Sequence, residues 1–243
     1  MKGNYMETTL TEQTEVQKSL AEAGWDFEEE VQGLQVETNH FDLPRIRIDH
    51  KDNGKHQMYI DLGESYLDES TDETLLPGNK ISAVVFAEQY IRAYWKGDAQ
   101  TPTCSAINNK PIVHDPVSEQ CHGCEQGAIG GDCKPKVRLL LLSKIGGAVK
   151  PLIFNLSPTS IKHWNLHKKK LQRSNLPVVA VNTTFCLKDV KKNGYRWAEV
   201  DIGIDGIASK DDLGLAKQAR NEMERIVSRI DEQDFNEPGD RII

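Results

Sequence analysis

Nowhere in this 243-residue sequence is there a run approaching the ~18 consecutive apolar residues of a membrane-spanning helix. The opening MKGNYMETTLTEQTEVQ has neither an apolar core nor a cleavage pattern, so a reducing cytosol is the expected compartment. Cysteine is scarce: five thiols in that setting suit metal ligation or free cysteines better than a disulfide framework. No glycine-rich phosphate loop and no serine-centred elbow occurs, which removes two common signatures of enzymes. Acidic residues are nearly missing from 134 to 196, where Asp189 stands alone against 14 Lys and Arg.

What is present makes that gap conspicuous. The chain carries a net charge of -7, and its other segments are acidic, with 18 Asp and Glu against 7 Lys and Arg over residues 1 to 80. A basic block inside an acidic chain is a directed electrostatic feature, and nucleic acid is its commonest target. The other reading is a solubilising face, or one that docks on the protein's own acidic ends. With 38% apolar residues, there is enough hydrophobic material for a real core.

The acidic stretch 1 to 40 reads as an arm with one short helix. Alternation in FDLPRIRIDH sets Leu43, Arg45 and Arg47 against Ile46 and Ile48, and DNG then precedes MYIDL, so 41 to 79 reads as two strands followed by a polar loop. KISAVVFAEQYIRAYW (80 to 95) reads as a long strand bent near Ala87. VRLLLLSK and VKPLIFNL flank a Gly146-Gly147 turn, and PVVAVNTTFCL and YRWAEVDIGIDGI flank Asn193-Gly194, so each pair reads as a hairpin. Between the hairpins, SPTSIKHWNLHKKKLQRSN reads as a helix with Trp164 in the core; its Lys168, Lys169 and Lys170 would steer phosphates. A second helix, 211 to 230, carries Leu215, Ala219, Met223 and Ile230 on one side, and an acidic tail, 231 to 243, ends the chain.

This order predicts a mainly β fold: a five-stranded OB-fold barrel over 80 to 207, with an insert at 100 to 135 between its first two strands and a carboxy-terminal helix over 208 to 230. The strands of 41 to 79 would pack on the barrel. In the insert, Cys104, Cys121, Cys124 and Cys133 stand as C-x16-C-x2-C-x8-C, a pattern that predicts one structural Zn2+ held by four thiolates. An iron–sulfur cluster is the rival, His114 and His122 are substitute ligands, and Cys186 reads as a buried free thiol.

A four-cysteine ribbon in the first loop of an OB-fold, followed by a terminal helix, resembles the zinc-bearing, carboxy-terminal DNA-binding domain of the replication protein A large subunit. Phage single-stranded-DNA-binding proteins with zinc are similar in design. The likeness covers about residues 80 to 230, with one close cysteine pair, Cys121 and Cys124, where the family commonly has two. It implies single-stranded DNA binding in replication or recombination, RNA being a variant, and subunit assembly through the terminal helix.

Binding of that kind needs cations for phosphates and flat side chains for bases. The residues expected to supply them are Lys136, Arg138, Lys144, Lys150, Phe154, Lys188, Lys191, Lys192, Tyr195, Arg196 and Trp197, with Tyr94 and Trp95 as further stacking candidates. Phe235, Ile242 and Ile243 in the tail would anchor replication or recombination proteins; the plainer reading is a solubilising end. Two other functions compete. Glu199, Asp201 and Asp205 on one strand face suggest a Mg2+-dependent nuclease, although no nucleophile, base and orienting group come together, so a non-enzymatic role is expected. The other is a zinc-ribbon module for protein interaction. No membrane partner is expected.

Overall fold

The computed structural model describes residues 43–51, 53–64, 71–97, 99, 101–128, 130–145, 147–226, 228–230 and 234–235, together with Lys18 and Glu22. The chain divides into two compact units, 1–38 and 39–243. Of the first unit only Lys18 and Glu22 are described, both helical, so the expected acidic arm lies outside the described residues. So does the acidic tail, apart from Asp234 and Phe235. Among the described residues no helix is long and apolar enough to cross a membrane.

In the second unit the strands are β1 (Arg45–Asp49), β2 (Gln57–Glu64), β3 (Thr71–Leu75), β4 (Lys80–Tyr94), β5 (Cys104–Ile107), β6 (Lys110–Pro111), β7 (Lys134–Ile145), β8 (Ala148–Leu156), β9 (Val181–Lys192) and β10 (Tyr195–Ile207). The helices are α1 (Pro158–Arg173), between β8 and β9, and α2 (Lys210–Ile226), after β10. Along the sheet the order is β10-β9-β4-β7-β8-β1-β2-β3, with β5 and β6 attached beside β4. β1 runs parallel to β8, while the other described pairs are antiparallel.

This is not the predicted five-stranded OB-fold barrel. The sheet curls through 231° into an open half-barrel whose edges stand 9 Å apart, about twice the 4.7–4.9 Å spacing of hydrogen-bonded strands. β1 and β2 do not pack on a finished barrel. β1 continues the sheet beyond β8, and the polar stretch expected to be a loop supplies β3 as a further strand. Those additions extend the sheet beyond the five strands expected.

Alternation along the strands produces two buried faces. One bears Ile46, Ile48, Met58, Ile60, Ile81, Ala83, Val85, Val137, Leu139, Leu141, Leu152, Phe154, Phe185 and Val200, with Trp164 of α1 packed among them. The opposite face bears Leu43, Val84, Phe86, Leu140, Leu142 and Ile153 beneath Ala216, Ala219 and Met223 of α2. Burial of each large aliphatic or Phe side chain contributes about 1.5–3 kcal/mol, so a sheet clad on both sides is stable without closing.

The two helices also satisfy backbone groups that the sheet leaves without a ladder partner. Ser160 of α1 accepts the Val200 N–H of the edge strand β10 at 3.0 Å, and Ser160 is fully buried. In β4, pairing with β7 skips Phe86 between Val85 and Ala87, the bulge that bends this strand near the expected position. The displaced Phe86 carbonyl accepts both Nε (2.7 Å) and Nη2 (2.5 Å) of Arg220 from α2. A carbonyl taken out of a ladder needs such a donor, and Arg220 reaches it from the margin of the α2 face that covers the sheet.

Candidate functional site

β7 begins KPKVRLLLL, so Lys136 and Arg138 are two residues apart and point to the same face as Leu140 and Leu142. Cross-strand register sets Arg138 beside Gln89 of β4 and Asn155 of β8, with Lys136 beside Ile91 in the next row. Arg45 joins them from β1. Four strands thus place two guanidiniums, an ammonium and two amides beyond the end of the apolar patch that α2 covers.

Asp234 enters this polar patch. Arg45 Nη1 donates to its Oδ1 at 2.8 Å, Arg138 Nη2 donates to its Oδ2, and Asn155 Nδ2 donates to its Oδ1 and its main-chain oxygen, each at 3.1 Å. The side chains of Arg138 and Asp234 are wholly excluded from solvent and that of Arg45 is 4% exposed. Arg138 Nη1 also donates to Gln89 Oε1 (3.1 Å) and to the Arg229 carbonyl (3.0 Å). A buried carboxylate is tolerated only where opposite charge and hydrogen bonds replace its water, as two guanidiniums and an amide do here.

Phe235 follows directly and fills an apolar slot formed by Ile91, Ala93 and Trp95, with Ile230 beside it. Its ring meets Trp95 edge-on at a centroid distance of 5.3 Å, and Lys136 Nζ lies 5.6 Å from its centroid. The seat therefore reads a carboxylate and then a ring, in adjacent residues of one segment.

Several residues expected to meet DNA lie elsewhere than a binding groove requires. Arg138, Lys136 and Phe154 are buried; Phe154 packs edge-on against Phe185 inside the half-barrel. The Trp197 indole donates to Glu199, and Arg196 forms a paired contact with Asp189 at 2.8 and 2.7 Å. Lys144, Lys150, Lys188, Lys191, Lys192 and Tyr195 are exposed on the β7–β8 and β9–β10 hairpins. Of the further stacking candidates, Trp95 holds Phe235 and Tyr94 lines the cysteine cavity. Lys168, expected to steer phosphates, bonds Glu88 at 2.7 Å and the Tyr90 hydroxyl at 3.1 Å. The OB-fold reading of single-stranded DNA binding is thus corrected: no closed barrel presents a groove, and the central cations hold the chain's own carboxylate.

The metal prediction is corrected as well. A structural ion needs three or four donors converging at about 2.0–2.3 Å, and among the described residues no group of three or more His, Cys, Asp or Glu is placed to hold one. The zinc ribbon falls with that finding, as do the iron–sulfur alternative and the resemblance to replication protein A and the phage proteins. Cys104, Cys121, Cys124 and Cys133 do line one small cavity with Arg92, Tyr94 and Gln126, and all are free thiols. Burial pushes the Cys121 and Cys133 thiols up, Arg92 draws them partly back, and the neighbouring cysteines add to the rise. Cys186 is also free and only half-buried, where full burial was expected.

The carboxylates considered for a nuclease are committed differently. Glu199 is buried and accepts Lys162 Nζ (2.8 Å) and Trp197 Nε1 (3.0 Å), with His163 Nε2 at 2.9 Å. Burial alone would raise its pKa, but the hydrogen bonds from Lys162, His163 and Trp197 outweigh it and hold the carboxyl down to about 2. Asp201 lies 4.0 Å from His163 Nδ1 and is largely exposed, and Asp205 is exposed. This cluster fastens α1 to β10, and the nuclease reading is not supported.

Sequence reasoning did not see the Arg45–Arg138–Asn155 seat. A signal was available: two cations at alternate positions in a strand as apolar as KVRLLLL, and an isolated Phe235 in an acidic end. No known protein family, curated protein or solved structure matches the chain.

Proposed function

We propose that this protein is a non-catalytic binding module that takes an acidic–aromatic segment of another polypeptide, with Arg45, Arg138 and Asn155 gripping the carboxylate and Trp95, Ile91 and Ala93 receiving the ring. One observation carries the reading: Asp234 and Phe235 occupy such a seat, with the carboxylate held by two guanidiniums out of water. The groups assembled there are suited to recognition. Two guanidiniums present forked donors that match the two oxygens of a carboxylate, and the ring pocket adds selectivity for the next residue. Four hydrogen-bonded strands carry the seat, so little ordering opposes binding. The exposed lysines on the two hairpins would draw an acidic segment toward the protein.

The test is anisotropy titration of the full chain with a labelled peptide DEQDFNEPGD and with a control carrying Asn-Ala in place of Asp-Phe. The Asp-Phe peptide should bind at least about tenfold more tightly, a difference of about 1.4 kcal/mol, and weaken as salt rises. Equal binding of both peptides would overturn the reading. So would displacement of the peptide by a single-stranded oligonucleotide in preference to an acidic competitor, since that would make general polyanion attraction the operative force.

A further inference from the structure

We infer that the carboxy-terminal segment of this chain is a resident plug of the seat, and that a partner's acidic–aromatic segment must displace Asp234 and Phe235 to bind. The inference rests on the peptide-binding reading above and adds its regulation. The plug is fixed at three successive places: the Arg229 carbonyl on Arg138 Nη1, Ile230 against the apolar slot, and Asp234–Phe235 in the seat itself. Its anchorage divides by origin. The residues of the seat lie on or directly after β1, β4, β7 and β8, whereas the described residues of the plug, Arg229, Ile230, Asp234 and Phe235, come from the stretch after α2.

That stretch is a short tether. α2 ends at Ile226 and is itself fastened to the sheet by Arg220 on the Phe86 carbonyl, only eight residues before Asp234. A segment tethered so closely acts at an effective concentration on the order of millimolar, so a free peptide at micromolar concentration competes poorly while the plug is intact. A plug weakened at either half should yield to a partner. The wild-type protein is therefore expected to bind weakly at rest, and any event that detaches Arg229, Ile230, Asp234 and Phe235 raises its affinity without altering the seat.

The test uses three full-length chains: wild type, Phe235→Ala and Asp234→Asn. Asp234→Asn keeps the shape of the buried side chain and covers the case in which Phe235→Ala fails to fold, as judged by near-ultraviolet circular dichroism. Each is titrated with the labelled DEQDFNEPGD peptide. Hydrogen exchange at the amides of 228 to 235 is followed in the wild type with and without saturating peptide. We expect the folded variants to bind at least about tenfold more tightly than wild type, and peptide to accelerate exchange across 228 to 235. Equal affinity in all folded chains overturns the plug while leaving the peptide-binding reading in place; unchanged exchange in the peptide-bound wild type overturns both, because Asp234 and Phe235 then still fill the seat that the peptide was to occupy. No binding to any chain overturns that reading itself.

Discussion

Glu199 shows how a single side chain can be fully committed to the fold. Held at about 2 against an ordinary 4.5, the ionised carboxylate contributes on the order of 1–2 kcal/mol at neutral pH, because solvent at the exposed Lys162 screens part of the 1.36 kcal/mol per pKa unit. Because the folded-state pKa is depressed, that stabilisation is complete above pH 4.5 and fades as the pH falls toward 2. Glu199→Gln should therefore lower stability in urea by about 1–2 kcal/mol at pH 7, and the gap from wild type should narrow steadily below pH 4.5. A gap that stays constant across that range would show that Glu199 acts by shape and not by charge. Arg138 makes the complementary point, since its charge is legible in the sequence but its partner is not. A cation in a doubly clad strand requires a counter-charge, and only the folded chain shows that it comes from 96 residues away.

At the scale of elements, much of the local structure was legible. The strand expected over 80 to 95 is β4 with its bend, the two hairpins lie at β7–β8 and β9–β10, and the helices expected at 157 to 175 and 211 to 230 are α1 and α2. Their periodicity and turn residues are local signals, strong enough to survive without knowledge of neighbours. β3 was missed because Thr71–Leu75 is polar and gains its pairing only from β2. β5 and β6 were not legible because Cys104–Ile107 and Lys110–Pro111 are too short to show an alternation and gain their pairing only from β4 and from each other. The bulge offers an element-scale test. Arg220→Met keeps an apolar stem but removes the guanidinium and strands the Phe86 carbonyl, so a loss of about 1–3 kcal/mol is expected in chemical denaturation. The same substitution should speed hydrogen exchange locally in β4 and α2; unchanged stability would mean that water or another donor replaces the guanidinium.

For the whole molecule, the sheet's double cladding sets the distribution of stability. β7 is buried on both faces from Val137 to Ser143, and β8 from Leu152 to Leu156, whereas residues 203 to 207 at the end of β10 are exposed. Amides of β7 and β8 should exchange only with global unfolding, and those at the end of β10 by local opening. Native-state exchange under EX2 conditions would show this as a gradient from the sheet centre to the β10 edge, and uniform protection would contradict it. The acidic and basic segments are likewise reconciled at this scale. The docking of the basic block on the chain's own acidic end was one reading of the composition, and in the fold two cations from that block, Lys136 and Arg138, do face Asp234 and Phe235.

The alternation that gives β4, β7 and β8 two apolar faces, the turns between hairpins and the helical stripes that cover the sheet are written in the amino acids themselves, because each depends on residues a few positions apart. That the sheet stays open, that the four insert cysteines share a cavity without forming a metal-holding group, and that Arg45 and Arg138 close on Asp234 are properties of the folded chain alone. Closure depends on how many strands join and in what register, and a buried charge depends on which distant segment can reach it. Both are long-range balances between desolvation, pairing and chain entropy that no local pattern of residues encodes.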